Sequence, residues 1–210
     1  MYFFEYLMIK HIWFDFSGTL ANENKEKHDN LRYLTFSKVT GKPLDENLEE
    51  EYIKLWEKYG SNSGVFRSLG LPAEFWGDEI NKAGIKEIYE LKDPVLPKFL
   101  QNLKEILPIS IFTNIKAKQV LPHFNIDPNW FTHIIEAGMI QEPKPSPEGF
   151  EKMIELSGVP AENILYIGDI VAKDILPAKK LGMQTALAWD ENPEADYSLK
   201  NFDELLEIIG

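Results

Sequence analysis

Short apolar runs that each stop at a polar residue set the tightest limit on what this chain can fold into. Ile9–Phe14, interrupted only by Lys10 and His11, stops at Asp15; Ile109–Phe112 stops at Thr113-Asn114; Ile164–Ile167 stops at Gly168-Asp169. Runs of that length with so few charges suit strands covered on both faces. Thr132–Glu136 and Thr185–Trp189 read the same way, and together these segments predict five core strands. Helical spacing follows at Pro94–Ile106, Lys116–His123, Pro147–Ser157, Asp174–Leu181 and Asp203–Ile209. Strand and helix in alternation predict an α/β fold built on a doubly wound parallel sheet. Open sheets of this kind bind ligands beyond the carboxyl ends of their strands, where Asp15 would stand.

Between the first strand and Pro94 the pattern changes. Lys25–Thr40, Asp45–Tyr59 and Ala73–Lys92 have helical spacing and no strong strand signal. Leu31, Leu34, Thr35 and Lys38 share one helix face, and Tyr52, Leu55, Trp56 and Tyr59 share another. Gly60-Ser61-Asn62-Ser63-Gly64 reads as a loop. The expected organisation is a core of residues 1–21 and 93–210 carrying a helical insert of residues 22–92.

Four groups of polar residues punctuate the core, and each has a purely structural reading when taken alone. Asp15-Phe16-Ser17-Gly18-Thr19-Leu20 is rich in ordinary turn formers. Thr113 or Asn114 can cap the helix that follows. Lys144 lies between Pro143 and Pro145 on a stiffened backbone, just before Ser146-Pro147, a cap and first-turn pair that starts a helix. Gly168 permits a tight turn before Asp169, and Asp174 returns five residues later at a helix start. Two carboxylates converging there suit Mg²⁺, a hard cation that takes oxygen ligands.

In this order and spacing the four groups resemble the four motifs of the haloacid dehalogenase-like (HAD) superfamily. The ending, Ala195-Asp196-Tyr197-Ser198-Leu199 and then Asp203-Glu204-Leu205-Leu206, is similar to the tail of that family. The resemblance implies a HAD-like core whose insert is a mobile cap. It implies that Asp15, Thr113 and Lys144 are catalytic, with Asp15 a nucleophile forming an aspartyl-phosphate, that Thr113, Asn114 and Lys144 bind the phosphoryl group, and that Lys144 offsets charge between nucleophile and phosphate. It further implies Mg²⁺ held by Asp15, Asp169, Asp174 and the backbone carbonyl of Ser17. The substrate implied is a small phosphorylated molecule, selected by the cap, where Lys25, His28, Arg32, Lys54 and Arg67 are candidate anion contacts.

Ser17 departs from the family pattern, which has an aspartate there as general acid and base. A carbonyl ligand survives that change, because any residue supplies one. Proton transfer does not, because a serine hydroxyl does not titrate near neutral pH; such assistance is typically worth about 10²–10⁴-fold in rate. The expected activity is a phosphatase of reduced rate, or one restricted to good leaving groups. The alternatives are a phosphate-binding HAD-like protein without catalysis, and a dehalogenase or phosphonate hydrolase. The last pair fits less well, since dehalogenases lack the carboxylate at the position of Asp169. Phosphonate hydrolases also use a lysine in a Met-Gly-x-x-Lys setting that is absent here.

Composition narrows the partners. A formal charge of −12 over 210 residues disfavours nonspecific attraction to nucleic acid. With no cysteine, disulfides, thiolate catalysis and cysteine-bound zinc are excluded. Met1–Met8 is apolar but lacks a basic segment and a cleavage site, and Glu5, Lys10 and His11 break it well short of a membrane span. A cytoplasmic protein without a membrane partner is expected, with Met8 an alternative natural start.

Overall fold

The computed structural model describes residues 8–136 and 138–210, so the reading of Met1–Leu7 lies outside the described residues. In chain order the elements are β1 (His11–Phe14), β2 (Ala21–Glu23), α1 (Lys25–Thr40), α2 (Glu46–Tyr59), α3 (Asn62–Ser68), α4 (Phe75–Ala83), α5 (Ile85–Ile88) and β3 (Tyr89–Leu91). They continue with α6 (Leu96–Leu103), β4 (Ile109–Phe112), α7 (Ala117–Val120), β5 (His133–Ile135), α8 (Pro147–Ser157), β6 (Ile164–Gly168), α9 (Leu176–Lys180), β7 (Gln184–Ala188), β8 (Tyr197–Leu199) and α10 (Glu204–Ile209). Among the described residues the main sheet has six strands in the order β5-β4-β1-β6-β7-β8, and every pairing in it is parallel.

Side-chain alternation explains why these strands look continuously apolar. Ile12 and Phe14 of β1, Ile109 and Ile111 of β4, and Leu165 and Ile167 of β6 enter one core. Trp13, Phe112, Ile164 and Tyr166 point to the other face and form a second core with Phe150 and Met153 of α8. Both faces are covered, so neither parity meets solvent, and the polar exceptions on β1 and β4, His11 and Ser110, are buried and bonded to each other. β1 lies at the centre, with Phe14 in register with Ile111 on one side and Ile167 on the other. The residues after these strands, Asp15, Thr113 and Asp169, are therefore brought to one edge.

The structure corrects several details. A sixth strand, β8, pairs with β7 where only a tail was expected. Gly60 and Ser61 do not open a loop. Gly60, at φ 71°, ends α2, and the Ser61 hydroxyl at once accepts a hydrogen bond from the Gly64 N–H at 3.0 Å to start α3. Ala73–Lys92 is not one helix: Gly84, at φ 99°, breaks it, and its last residues form β3, antiparallel to β2. Leu34 is exposed, and α1 buries His28, Thr35 and Phe36 instead. The helix expected over Lys116–His123 tightens to a 3₁₀ turn from Leu121, and that over Asp174–Leu181 begins inside a π-helical turn, Val171–Ile175. Among the described residues no helix is long and apolar enough to cross a membrane.

One buried polar group ties stability to pH. His11 of β1 is 3% exposed, stacks on Trp13 and His133, and its Nε2 lies 2.8 Å from the Ser110 hydroxyl of β4. Burial, with the neighbouring His133, lowers it to about 4. The folded state therefore resists a proton that the unfolded chain accepts below its ordinary value of 6.5. Its contribution is intact above that pH and is lost as pH falls toward about 4. His11→Gln, which does not titrate, should flatten the loss of stability over that interval in denaturant titrations. An unchanged slope would place the acid sensitivity elsewhere.

Candidate active site

Asp15 is fixed by its backbone: its N–H donates to the Ile167 carbonyl at 2.8 Å, extending the ladder one residue past β1. The chain then turns sharply, with the Gly18 N–H donating to the Ala21 carbonyl at 2.7 Å. Gly18 has φ +84°, and a Cβ on it would lie 2.0 Å from Oδ2 of Asp169. Gly168 is required in the same way, since a Cβ there would stand 2.4 Å from that of Asp174. These two glycines leave the room in which the carboxylates approach.

Asp15, Asp169 and Asp174 each offer an oxygen, and these atoms all lie within 4.8 Å of one another. Lys144 enters the same cluster, 0% exposed, and its Nζ donates to Oδ1 of Asp15 at 2.7 Å, to Oδ1 of Asp174 at 2.7 Å and to the Tyr166 hydroxyl at 2.9 Å. All three ammonium protons are thereby used. Burial alone would lower the Lys144 pKa, but Asp15 and Asp174 outweigh it and hold the ammonium above its ordinary range. Asp174 accepts from Lys144 and Tyr166 on Oδ1 and from the Ile170 N–H at 3.2 Å on Oδ2. Burial works against its charge, yet Lys144 and Lys173 hold its carboxyl below the usual value.

Asp169 lacks such support. Its buried Oδ1 has no partner among the described residues, and burial followed by the charges of Asp15 and Asp174 pushes its pKa up to about 7. Burial raises Asp15 as well. The cluster thus holds more carboxylate than cation, with one oxygen orphaned at its open side. Hard oxygen donors with a shortage of positive charge fit a divalent cation.

Asn114 complements it. Its Oδ1 accepts from the Lys144 backbone N–H at 3.1 Å, which turns Nδ2, buried and without a partner among the described residues, into an available donor. The Thr113 hydroxyl accepts from the Ile115 N–H at 3.4 Å. Asp15, Ser17, Thr113 and Asn114 line a cavity of about 50 Å³, together with Ser61, Asn62 and Ser63 of the helical insert. A second cavity of about 210 Å³ shares Ser17 and continues past Asp169 to His28 and Arg32. The helices between β2 and β3 lie over the strand ends: Ser63 donates to the Asn114 carbonyl at 3.3 Å, Arg67 pairs with Glu142 at 3.1 Å, and Asp78 pairs with Lys116.

The seven core residues singled out from the sequence, Asp15, Ser17, Thr113, Asn114, Lys144, Asp169 and Asp174, meet at this edge. The anion contacts divide. His28 and Arg32 line the larger cavity, and Arg67 lines a separate depression beside Pro143 and Pro145. Lys25 is exposed outside these cavities, and Lys54 pairs with Glu50 in solvent. The sequence reading missed Tyr166, Lys173, Glu23 and Tyr89. Lys173 was signalled by its place beside Asp174; Tyr166 looked like one more apolar strand residue.

The profile of the haloacid dehalogenase-like hydrolases matches residues 9–182. The chain is 30% identical over 195 residues to a protein of Pyrococcus abyssi named glyceraldehyde 3-phosphate phosphatase, covering 85% of this chain and 80% of that one. It is 28% identical over 223 residues to a protein of the same name from Methanocaldococcus jannaschii, covering 96% and 97%. The crystal structure of a HAD phosphatase from Thermococcus onnurineus superposes with a TM-score of 0.72 at 21% identity, over 96% of this chain and 98% of that one, and shows a shared fold.

The crowding at Gly18 gives a direct test. Gly18→Ala must adopt φ +84° and displace the Asp169 carboxylate from 2.0 Å. A loss of about 1–3 kcal/mol is expected in thermal or denaturant unfolding. Wild-type stability would mean that Asp169 has another place to go.

Proposed function

The chain belongs to the haloacid dehalogenase-like hydrolase family, and on that footing we propose that it hydrolyses a small phosphate monoester through an aspartyl-phosphate on Asp15, with Mg²⁺ as cofactor. One observation carries this reading: Asp15 lines a cavity with the Thr113 hydroxyl and the unpartnered Asn114 Nδ2 while its Oδ1 is gripped by a fully buried lysine at 2.7 Å. Lys144 orients the carboxylate and leaves the second oxygen to attack phosphorus. Thr113 and the free Nδ2 of Asn114 hold the phosphoryl oxygens. Asp15, Asp169, Asp174 and the Ser17 carbonyl would hold Mg²⁺, which supplies charge neutralisation on those oxygens. Ser61, Asn62 and Ser63 line the same cavity from the helical insert, where a cap would contribute.

The relatives named glyceraldehyde 3-phosphate phosphatase make that triose ester the first substrate to test. Ser17 transfers no proton, so the leaving oxygen either departs unaided or is protonated from elsewhere. A phosphate-binding role without turnover is favoured by Ser17 alone.

Phosphate release from glyceraldehyde 3-phosphate or p-nitrophenyl phosphate should require Mg²⁺, vanish with chelator, and fall by orders of magnitude in Asp15→Asn. A panel of esters showing no Mg²⁺-dependent release would leave the phosphate-binding reading in its place. The metal is tested separately by calorimetry. Asp169 keeps a proton up to about pH 7 in the metal-free protein, and a cation must displace it. Mg²⁺ affinity should therefore rise with pH through that value and weaken in Asp169→Asn. Equal binding in variant and wild type would remove Asp169 from the ligand set.

A further inference from the structure

We propose that Glu23 is the general acid and base of this site, taking over from the second strand the proton transfer that Ser17 cannot perform. The inference rests on the phosphohydrolase reading above.

Its basis is the β2–β3 ribbon. Glu23 is in register with Tyr89 across the antiparallel pair, so their side chains share one face of the ribbon. The Tyr89 hydroxyl on that face accepts a hydrogen bond from Ser17 Oγ at 3.3 Å. Glu23 is thus delivered beside the position that lacks its carboxylate. It lines the cavity shared by Asp15 and Ser17, and also the larger one where a leaving group would lie. Tyr89 itself is a poor donor, since burial raises its hydroxyl well above its ordinary range.

The carboxylate is also held in place. Glu23 Oε2 lies 3.2 Å from Nδ1 of the buried His28. Asn62 Oδ1 accepts from the Tyr52 hydroxyl at 2.6 Å, which turns Nδ2 toward His28 Nε2 at 3.4 Å. Nε2 therefore accepts, Nδ1 carries the hydrogen, and a neutral His28 donates to Glu23. Burial keeps the ring neutral by lowering its pKa. The Glu23 side chain remains 33% exposed, open to the cavity.

In the first step an Asp15 oxygen bonds to phosphorus, the ester P–O bond breaks, and its electron pair takes the proton of Glu23, releasing the alcohol. In the second step the Glu23 carboxylate takes a proton from water as that water oxygen bonds to phosphorus and the Asp15–phosphate bond breaks. Orthophosphate leaves, and Asp15 and the protonated Glu23 are regenerated.

Two leaving groups and single-turnover kinetics test this. In Glu23→Gln, phosphoenzyme formation from an alkyl phosphate should drop by about 10²–10⁴-fold, because the alkoxide is no longer protonated. With p-nitrophenyl phosphate the same variant should give a burst of about one nitrophenolate per enzyme and then a steady rate at least about tenfold below wild type. Ser17→Asp in the Glu23→Gln background should restore alkyl turnover. Thermal unfolding checks that the variant is folded, and Glu23→Asp, which keeps the charge facing His28 but draws it back by one methylene, should show the same split more weakly. If Glu23→Gln changes neither substrate, or slows both equally without a burst, the assignment is overturned while the phosphohydrolase reading stands. Wild-type protein that releases phosphate from neither ester overturns both.

Discussion

A buried ammonium that must be neutralised by two carboxylates is the interaction on which this structure turns. Lys144 is fully enclosed, and Asp15, Asp174 and Tyr166 use its three protons. An unpaired charge at that depth is strongly destabilising, so the partners have to arrive together. Asp15 comes from the end of β1, Tyr166 from within β6, Asp174 from the turn before α9, and Lys144 from the segment before α8. The central parallel pairing of β1 and β6 is what makes these segments converge. Gly18 and Gly168 then remove the two side-chain carbons that would hold the carboxylates apart.

The same cluster sets the polarity of the site. Asp15 and Asp174 have a cation inside the protein, whereas Asp169 has an oxygen without a partner among the described residues. The inner side is closed and satisfied, and on the outer side Lys173 and Arg32 line the cavities without hydrogen-bonding the orphaned Asp169 oxygen. Asn114 repeats the division within one amide, with its oxygen turned inward to the Lys144 N–H and its nitrogen left as a donor. Groups that finish their hydrogen bonding within the protein hold position, and those left unfinished define where a ligand is received.

Much of this was legible in the sequence, for a physical reason. Strands covered on both faces carry few polar positions, so Ile109–Phe112, polar only at Ser110, and Ile164–Ile167 stand out in the sequence, and the polar residue ending each marks the sheet edge. Glycines at Gly18 and Gly168 are equally visible, because close backbone approach admits nothing else. The ribbon was not legible. Ala-Asn-Glu and Tyr-Glu-Leu are too short to display a period, and helical spacing runs on into the second of them. Glu23 was missed with it, since its proximity to Ser17 depends on Tyr89, 72 residues beyond Ser17. The stop at Gly60 and restart at Ser61 misled for the opposite reason. Turn-forming residues dominate there, yet they end one helix and begin the next with nothing between.

The two-stranded ribbon has a mechanical side as well. Every residue from α1 to α5 is joined to the sheet through β2 and β3, and these two segments are hydrogen-bonded to each other in register from Ala21–Leu91 to Glu23–Tyr89. Two unpaired tethers would let the helices tumble and slide with many independent torsions. A laced pair resists shear, so the start of α1 and the end of α5 are held at a fixed separation beside the sheet. Because the strip springs directly from the turn at Gly18, whose N–H donates to the Ala21 carbonyl, its base is fixed to the carboxyl edge of the sheet.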